Sequence, residues 1–225
     1  MPLNRKTCTG AKRVQPPSGS LLCPLVLLAA LSSFVSVAAH AGGVLKIDYR
    51  LSMHDSGIWQ RRNQVILEDA VVGAVLAGAL WEGGDTRIGR TWWQSVDSVA
   101  LGAASSEFMK RVFTRERPST TTNPDRWFEG GSNHSFPSGE VTLMAAAITP
   151  FVLEYGREYP AVYALELLPL YDGMARMRVR AHWQTDVLAG WALGTATGYI
   201  SHSLDKPFVL SILPHGFSAG IKAAF

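Results

Sequence analysis

The chain has 225 residues, 47% apolar and 17% charged, which excludes intrinsic disorder and suits one helical domain better than two. Its formal charge is +3, but four basic residues fall before position 42, and without them 17 basic side chains face 18 acidic ones. The high pI is therefore largely a property of the first segment, and nucleic-acid binding is not expected.

That segment has the layout of an export signal. Arg5, Lys6, Lys12 and Arg13 form a basic start, an apolar run from Leu21 to Val37 follows, and Ala39-His40-Ala41 closes it with a small-x-small pattern. The apolar core is short against the roughly 20 residues of a membrane span. A signal peptide over 1–41 and an exported domain over 42–225 are expected, periplasmic or membrane-associated in a bacterial envelope. Both cysteines, Cys8 and Cys23, lie in the leader. The mature domain must then hold together without disulfides or thiolate metal sites.

Residues 42–64 read as an arm with one weak helix and Tyr49, Leu51 and Trp59 as packing points. A buried helix is predicted from Val65 to Trp81, stopped by Glu82-Gly83-Gly84-Asp85. A second spans about Thr91 to Phe113, with Trp92, Val96, Val99, Leu101 and Phe108 at mostly helical spacings. Pro118 ends any continuation, and residues 119–135 form a long polar loop of the kind that usually serves function. A third helix opens at Ser138-Gly139 and runs to about Tyr155, a fourth segment runs from Pro160 to Tyr171, and a fifth helix from Trp183 to Ser203. The fifth carries Gly190, Gly194 and Gly198 on one face, where another backbone can approach closely. The tail from Phe208 to Phe225 suggests a short strand or hairpin. The best apolar run, Val187 to Ser201, falls short of a clean span, so a soluble or membrane-associated helical bundle is expected rather than a multi-span protein.

Three groups of residues point at one anion. Lys110 and Arg117 lie close to two helical turns apart and can aim two cations at a dianion, although Arg111 and Arg115 beside them also suit a solvated basic face. Ser138 is a good helix N-cap, and Gly139 allows an anion close to the free amides of the first turn. Glu140 follows at once, so it either points away or takes part in proton transfer. Arg176, His182 and Asp186 form the third group. His182 and Asp186 are four apart, so on a helix the carboxylate can orient the imidazole and leave its other nitrogen as a nucleophile.

In order and spacing, Lys110-x6-Arg117-Pro118, Pro137-Ser138-Gly139 and Arg176-x5-His182-x3-Asp186 resemble the type 2 phosphatidic acid phosphatase and vanadium haloperoxidase superfamily. The signature region covers 110–186. The resemblance implies an all-α bundle, no metal or other cofactor for the phosphatases, and a phosphohistidine intermediate. By position, His182 would be the nucleophile and Asp186 its orienting partner. Lys110, Arg117 and Arg176 would clamp phosphate, with Ser138 and Gly139 adding hydrogen bonds. Two positions depart from the pattern. Ala175 replaces a serine, and Glu140 replaces the histidine that protonates the leaving oxygen. Glu140 could act as that acid if buried; His134 in the loop is a second candidate.

The expected function is a metal-independent phosphatase for phosphomonoesters or lipid phosphates. The alternatives are a phosphate-binding pseudo-enzyme or scaffold with weak turnover, and a vanadate-dependent peroxidase. The expected partner is a phosphate-bearing small molecule or lipid, with membrane association open and the oligomeric state unassigned.

Overall fold

The computed structural model describes residues 42–131, 134–204 and 207. The expected leader over 1–41 and the strand or hairpin in 208–225 lie outside the described residues. Five α-helices form the fold: α1 Arg61–Glu82, α2 Arg87–Phe113, α3 Gly139–Tyr155, α4 Leu167–Arg178 and α5 Gln184–Ser203. Two 3-10 turns, Gly57–Trp59 and Pro160–Glu166, accompany them. Among the described residues there is no strand, only isolated bridges at Gly42–Asp48 and Glu116–His134. The fold is all-α.

Helix α3 is the axis of the bundle and packs chiefly on α5 and α2, while α1 lies against α2. It serves as an axis because it is apolar nearly all round: Val141, Met144, Ala145, Ala146, Ala147 and Ile148 are all buried. Full burial of a side chain such as Val141 or Met144 contributes about 1.5–3 kcal/mol.

The glycine face of α5 meets α3. A Cβ on Gly190 would lie 2.5 Å from the Ser138 carbonyl oxygen, and one on Gly194 would lie 2.3 Å from that of Thr142. Backbone atoms cannot step aside as flexible side chains do. Gly194→Ala is therefore expected to cost about 1–3 kcal/mol as the two helices separate, measured as a lower Tm in thermal unfolding.

Several boundaries differ from the sequence-based expectation. Helix α2 begins at Arg87 rather than about Thr91, where Thr86 Oγ1 accepts the Gly89 N–H at 2.9 Å, while its end at Phe113, before the left-handed Thr114, is where the sequence placed it. The fourth segment divides into a 3-10 turn and α4, so Arg176 sits in the last turn of a helix. Helix α1 is longer than predicted. Its 22 residues have a mean hydropathy of 1.5 over the best window, which corrects the reading that no run in 42–225 is long and apolar enough to cross a membrane.

The arm before α1 covers the α4–α5 junction. Tyr49 exchanges two hydrogen bonds of 3.0 Å with the Gln184 side chain, and the Arg178 carbonyl accepts the His54 N–H at 3.0 Å. Trp59 stacks on Tyr171 with ring centroids 6.0 Å apart.

Candidate active site

The starts of α3 and α5 are tied together. The Ser138 N–H donates to the Asp186 carbonyl at 3.0 Å. This bond brings the second and third sequence groups to one point, and the αL turn at Thr114 sends the chain back so that Arg117 joins them. Arg117 thus reaches the site from an irregular segment beyond α2, not from the helix face it would share with Lys110.

His182 lies at the centre, 3% exposed. Its Nδ1 is 2.7 Å from the Ser135 carbonyl oxygen. A carbonyl only accepts, so Nδ1 carries the proton and Nε2 keeps its lone pair. Nε2 faces Arg117 Nη1 at 3.4 Å. Burial, then the charges of Arg176, Arg117 and Lys110, hold the imidazole pKa well below its usual value, so the ring is neutral at pH 7.

Asp186 is arranged differently from the expected His–Asp pair. Its Oδ2 is 3.9 Å from His182 Nδ1 and instead accepts the Ser135 hydroxyl and, at 2.8 Å, the Trp183 N–H. The reason is local. Helix α5 starts at Gln184, so His182 precedes it, and a carboxylate in the first turn folds back onto the N-cap amide. Asp186 therefore acts on the imidazole through Ser135, whose hydroxyl it holds and whose carbonyl binds Nδ1.

Behind Asp186 stands Arg115, with no exposed surface. Its Nη1 donates to Asp186 Oδ1 and its Nη2 to Asp48 Oδ2, each at 2.6 Å. It also binds the Thr185 hydroxyl at 2.8 Å and the Pro124 carbonyl, and lies 4.3 Å from the Trp127 ring centroid. Asp48 in turn accepts the Thr185 N–H at 2.8 Å. The reading of Arg115 as part of a solvated face is overturned. Arg111, which pairs with Glu107 at 2.9 Å, is the surface member of that run.

Lys110 approaches the start of α3, and Arg117 approaches His182. Lys110 Nζ packs over Gly139, where a Cβ would come within 2.7 Å of it, so glycine is what admits the ammonium. Burial and Arg117 lower the Lys110 pKa. The Ser138 hydroxyl stands at the N-cap of α3 but bonds no backbone amide, and it is buried with no partner. Ser106 Oγ and Arg117 Nε are likewise buried and unpartnered. Unmet donors of this kind around a helix N-terminus are what an oxyanion would satisfy.

Glu140 is held by two arginines. Arg61 Nη1 and Nη2 grip it at 2.8 and 2.7 Å, and Arg176 Nε is 3.1 Å away. Gln64 on α1 joins them, 3.3 Å from Arg176 Nη1. Both carboxylate oxygens are thus turned to guanidinium donors. His134 is half-buried with Nδ1 unpartnered, and it is not among the residues lining the cleft described next.

A cleft of about 320 Å³ opens to solvent beside the site, lined by Met53, Asp55, Arg61, Arg117, Ser119, Arg176, Val179, Arg180 and Ala181. Trp127 and Phe136 pack with Phe113 at ring distances of 5.1–6.1 Å, which accounts for them as structural side chains.

Asp172 on α4 is fully buried with both oxygens unpartnered. Burial, then repulsion from Glu140, raises its pKa to about 7. The folded chain thus binds a proton that the unfolded chain releases near pH 4, so stability falls as pH rises from about 4 to about 7. Asp172→Asn should gain on the wild type across that window, by on the order of 3 kcal/mol at pH 8 relative to pH 4 in urea unfolding.

The PAP2 superfamily matches residues 91–208. A lipid A 1-phosphatase of Porphyromonas gingivalis is 31% identical over 118 residues, covering 50% of this chain and 24% of the relative. An undecaprenyl-diphosphatase of Sulfolobus acidocaldarius is 25% identical over 112 residues, covering 49% and 53%. A lipid A 1-phosphatase of Rhizobium etli is 32% identical over 102 residues, covering 43% of each. The chain thus spans about half or less of the length of these relatives. No solved structure matches it significantly.

Proposed function

The chain belongs to the PAP2 superfamily, and from that membership we propose that it is a phosphoric ester hydrolase acting on lipid phosphates through a phosphohistidine on His182. One observation carries the reading. His182 Nε2 is a neutral, buried base whose tautomer is set by the Ser135 carbonyl and which looks directly at Arg117.

The phosphoryl group would rest against Lys110, Arg117, Arg176, the Ser138 hydroxyl and the amides at the start of α3. Its charge is spread over oxygens that the cations already face, so their stabilisation grows as the transition state forms. The Nε2 lone pair attacks phosphorus, a P–N bond forms, and the P–O bond to the organic group breaks. The resulting imidazolium keeps its Nδ1 proton on the Ser135 carbonyl. Water then displaces phosphate and returns Nε2 to its neutral form.

The relatives' names favour a lipid phosphate, and so does α1, which exposes Ile66, Leu76, Leu80 and Trp81. Export of the domain to the envelope belongs to the same proposal. The test is rapid quench with a radiolabelled phosphate ester. An acid-labile, alkali-stable label on His182 supports the reading, and steady turnover without that label overturns it. The ion-paired Glu140 favours a second reading, a phosphate-binding protein with weak turnover. Vanadate binding with no hydrolysis across soluble and lipid phosphates would support that one.

A further inference from the structure

The cleft beside His182 is the way out for whatever the phosphate is attached to, because His182 itself is buried. Arg117 joins the two: it faces His182 Nε2 at 3.4 Å and also lines the cleft. The group that leaves with the P–O electron pair must therefore lie among the lining residues. Four of these are arginines, 61, 117, 176 and 180. The one carboxylate among the described lining residues, Asp55, is exposed and accepts the Arg61 backbone N–H at 2.7 Å. Glu140, behind them, is gripped by Arg61 and Arg176. Asp172 is fully buried and does not reach the cleft surface. The described lining thus offers fixed positive charge at the leaving oxygen, and its neutral side-chain donor, the Ser119 hydroxyl, is too weak an acid to protonate it.

Arg61 is the residue placed for that charge. It comes from the first turn of α1, ahead of the segment matched by the family. Its fork has five N–H donors. Glu140 takes two of them and Gln64 a third at 3.4 Å, which fixes the guanidinium plane of a residue that lines the cleft and leaves two donors outside those bonds. Because Glu140 and Gln64 orient it before substrate arrives, little reorganisation is needed as charge develops.

We propose that Arg61, oriented by Glu140, binds the departing oxygen as an anion, so that this site is selective for activated phosphate esters and anhydrides over simple alkyl esters. The inference rests on the phosphohistidine reading. As Nε2 bonds to phosphorus, the P–O pair leaves on oxygen, which departs as an oxyanion beside Arg61 and takes its proton later from water. Aryl, enol, acyl or phosphoryl leaving groups depart this way readily. An alkoxide does not, and a proton donor ordinarily contributes about a hundredfold to ten-thousandfold for it.

The experiment is a leaving-group series on the full chain: phenyl phosphates of graded acidity and glycerol phosphate, with His182 labelling followed for each. The expected result is a steep fall in kcat/KM as the leaving group becomes less acidic, with glycerol phosphate at least about a hundredfold below the most acidic phenyl ester. Arg61→Gln should lower the rate on the phenyl esters by about a hundredfold, and Arg61→Lys should restore part of it. Glu140→His, which brings in an imidazole, should raise glycerol phosphate relative to the phenyl esters and flatten the series. A flat series in wild type, with His182 still labelled, overturns the inference and leaves the phosphohistidine intact. Glycerol phosphate turnover that is lost specifically in Asp172→Asn also overturns it, because a buried acid would then supply the proton. Loss of labelling at His182 on every substrate overturns both readings.

Discussion

His182→Ala should reduce kcat by roughly ten-thousandfold or more and abolish the phosphoryl label, the largest effect expected of any substitution in this chain. The cations would still gather phosphate, so the affinity for vanadate should fall far less than the rate. That separation between binding and turnover is what distinguishes a nucleophile from a residue that merely shapes the pocket. The same substitution has a signature in stability. The folded-state pKa of His182 lies well below its unfolded value near 6.5. Below pH 6.5 the unfolded chain therefore takes up a proton that the folded chain refuses, and stability falls with falling pH. His182→Ala removes that contribution, so the variant's stability should decline less steeply on the acid side.

Arg115→Met is expected to cost about 3–5 kcal/mol, because it leaves Asp48 and Asp186 buried without their shared counter-charge. For a chain of this size that corresponds to a Tm lower by roughly 10 °C. Arg115→Lys should recover little of it, since one ammonium cannot span two carboxylates on opposite sides of a planar fork. The effect should also be non-additive with Asp48→Asn: once the second carboxylate is gone, loss of Arg115 strands less charge. Because Asp186 reaches the imidazole through Ser135, a properly folded fraction of Arg115→Met should show a lower kcat with little change in KM. Near-wild-type stability and kcat in Arg115→Met would remove Arg115 from any role in positioning.

Much of the fold was legible locally. The apolar run that became α1 stood out against the glycines that stop it, α2 announced itself by helical spacing, α3 by its start at Ser138-Gly139, and the glycines of α5 by their spacing of four. Boundaries were less legible where a side chain or backbone turn decided them. Thr86 caps α2 a turn earlier than the apolar pattern begins, whereas its end at Phe113 was read correctly. Arg61, Gln64 and Asp48 were missed as site residues. They act over sequence separations of 67 to 137 residues, in Arg115–Asp48, Arg61–Glu140 and Thr185–Asp48, and no local pattern reports such pairs.

The sequence by itself determined which chemistry is available: a histidine, three cations, a serine and glycine at a helix start, and a glutamate where a proton donor was expected. Spacing along the chain carries that information, because helical turns and chain order constrain where neighbours can point. Tertiary structure alone decided how those groups are paired. It gave His182 a carbonyl rather than a carboxylate, turned Asp186 toward a buried arginine, and bound Glu140 into an ion pair with α1. Each of those outcomes depends on which of several competing partners lies within hydrogen-bond distance in the folded chain. That competition is settled by packing, not by any property the residues have on their own.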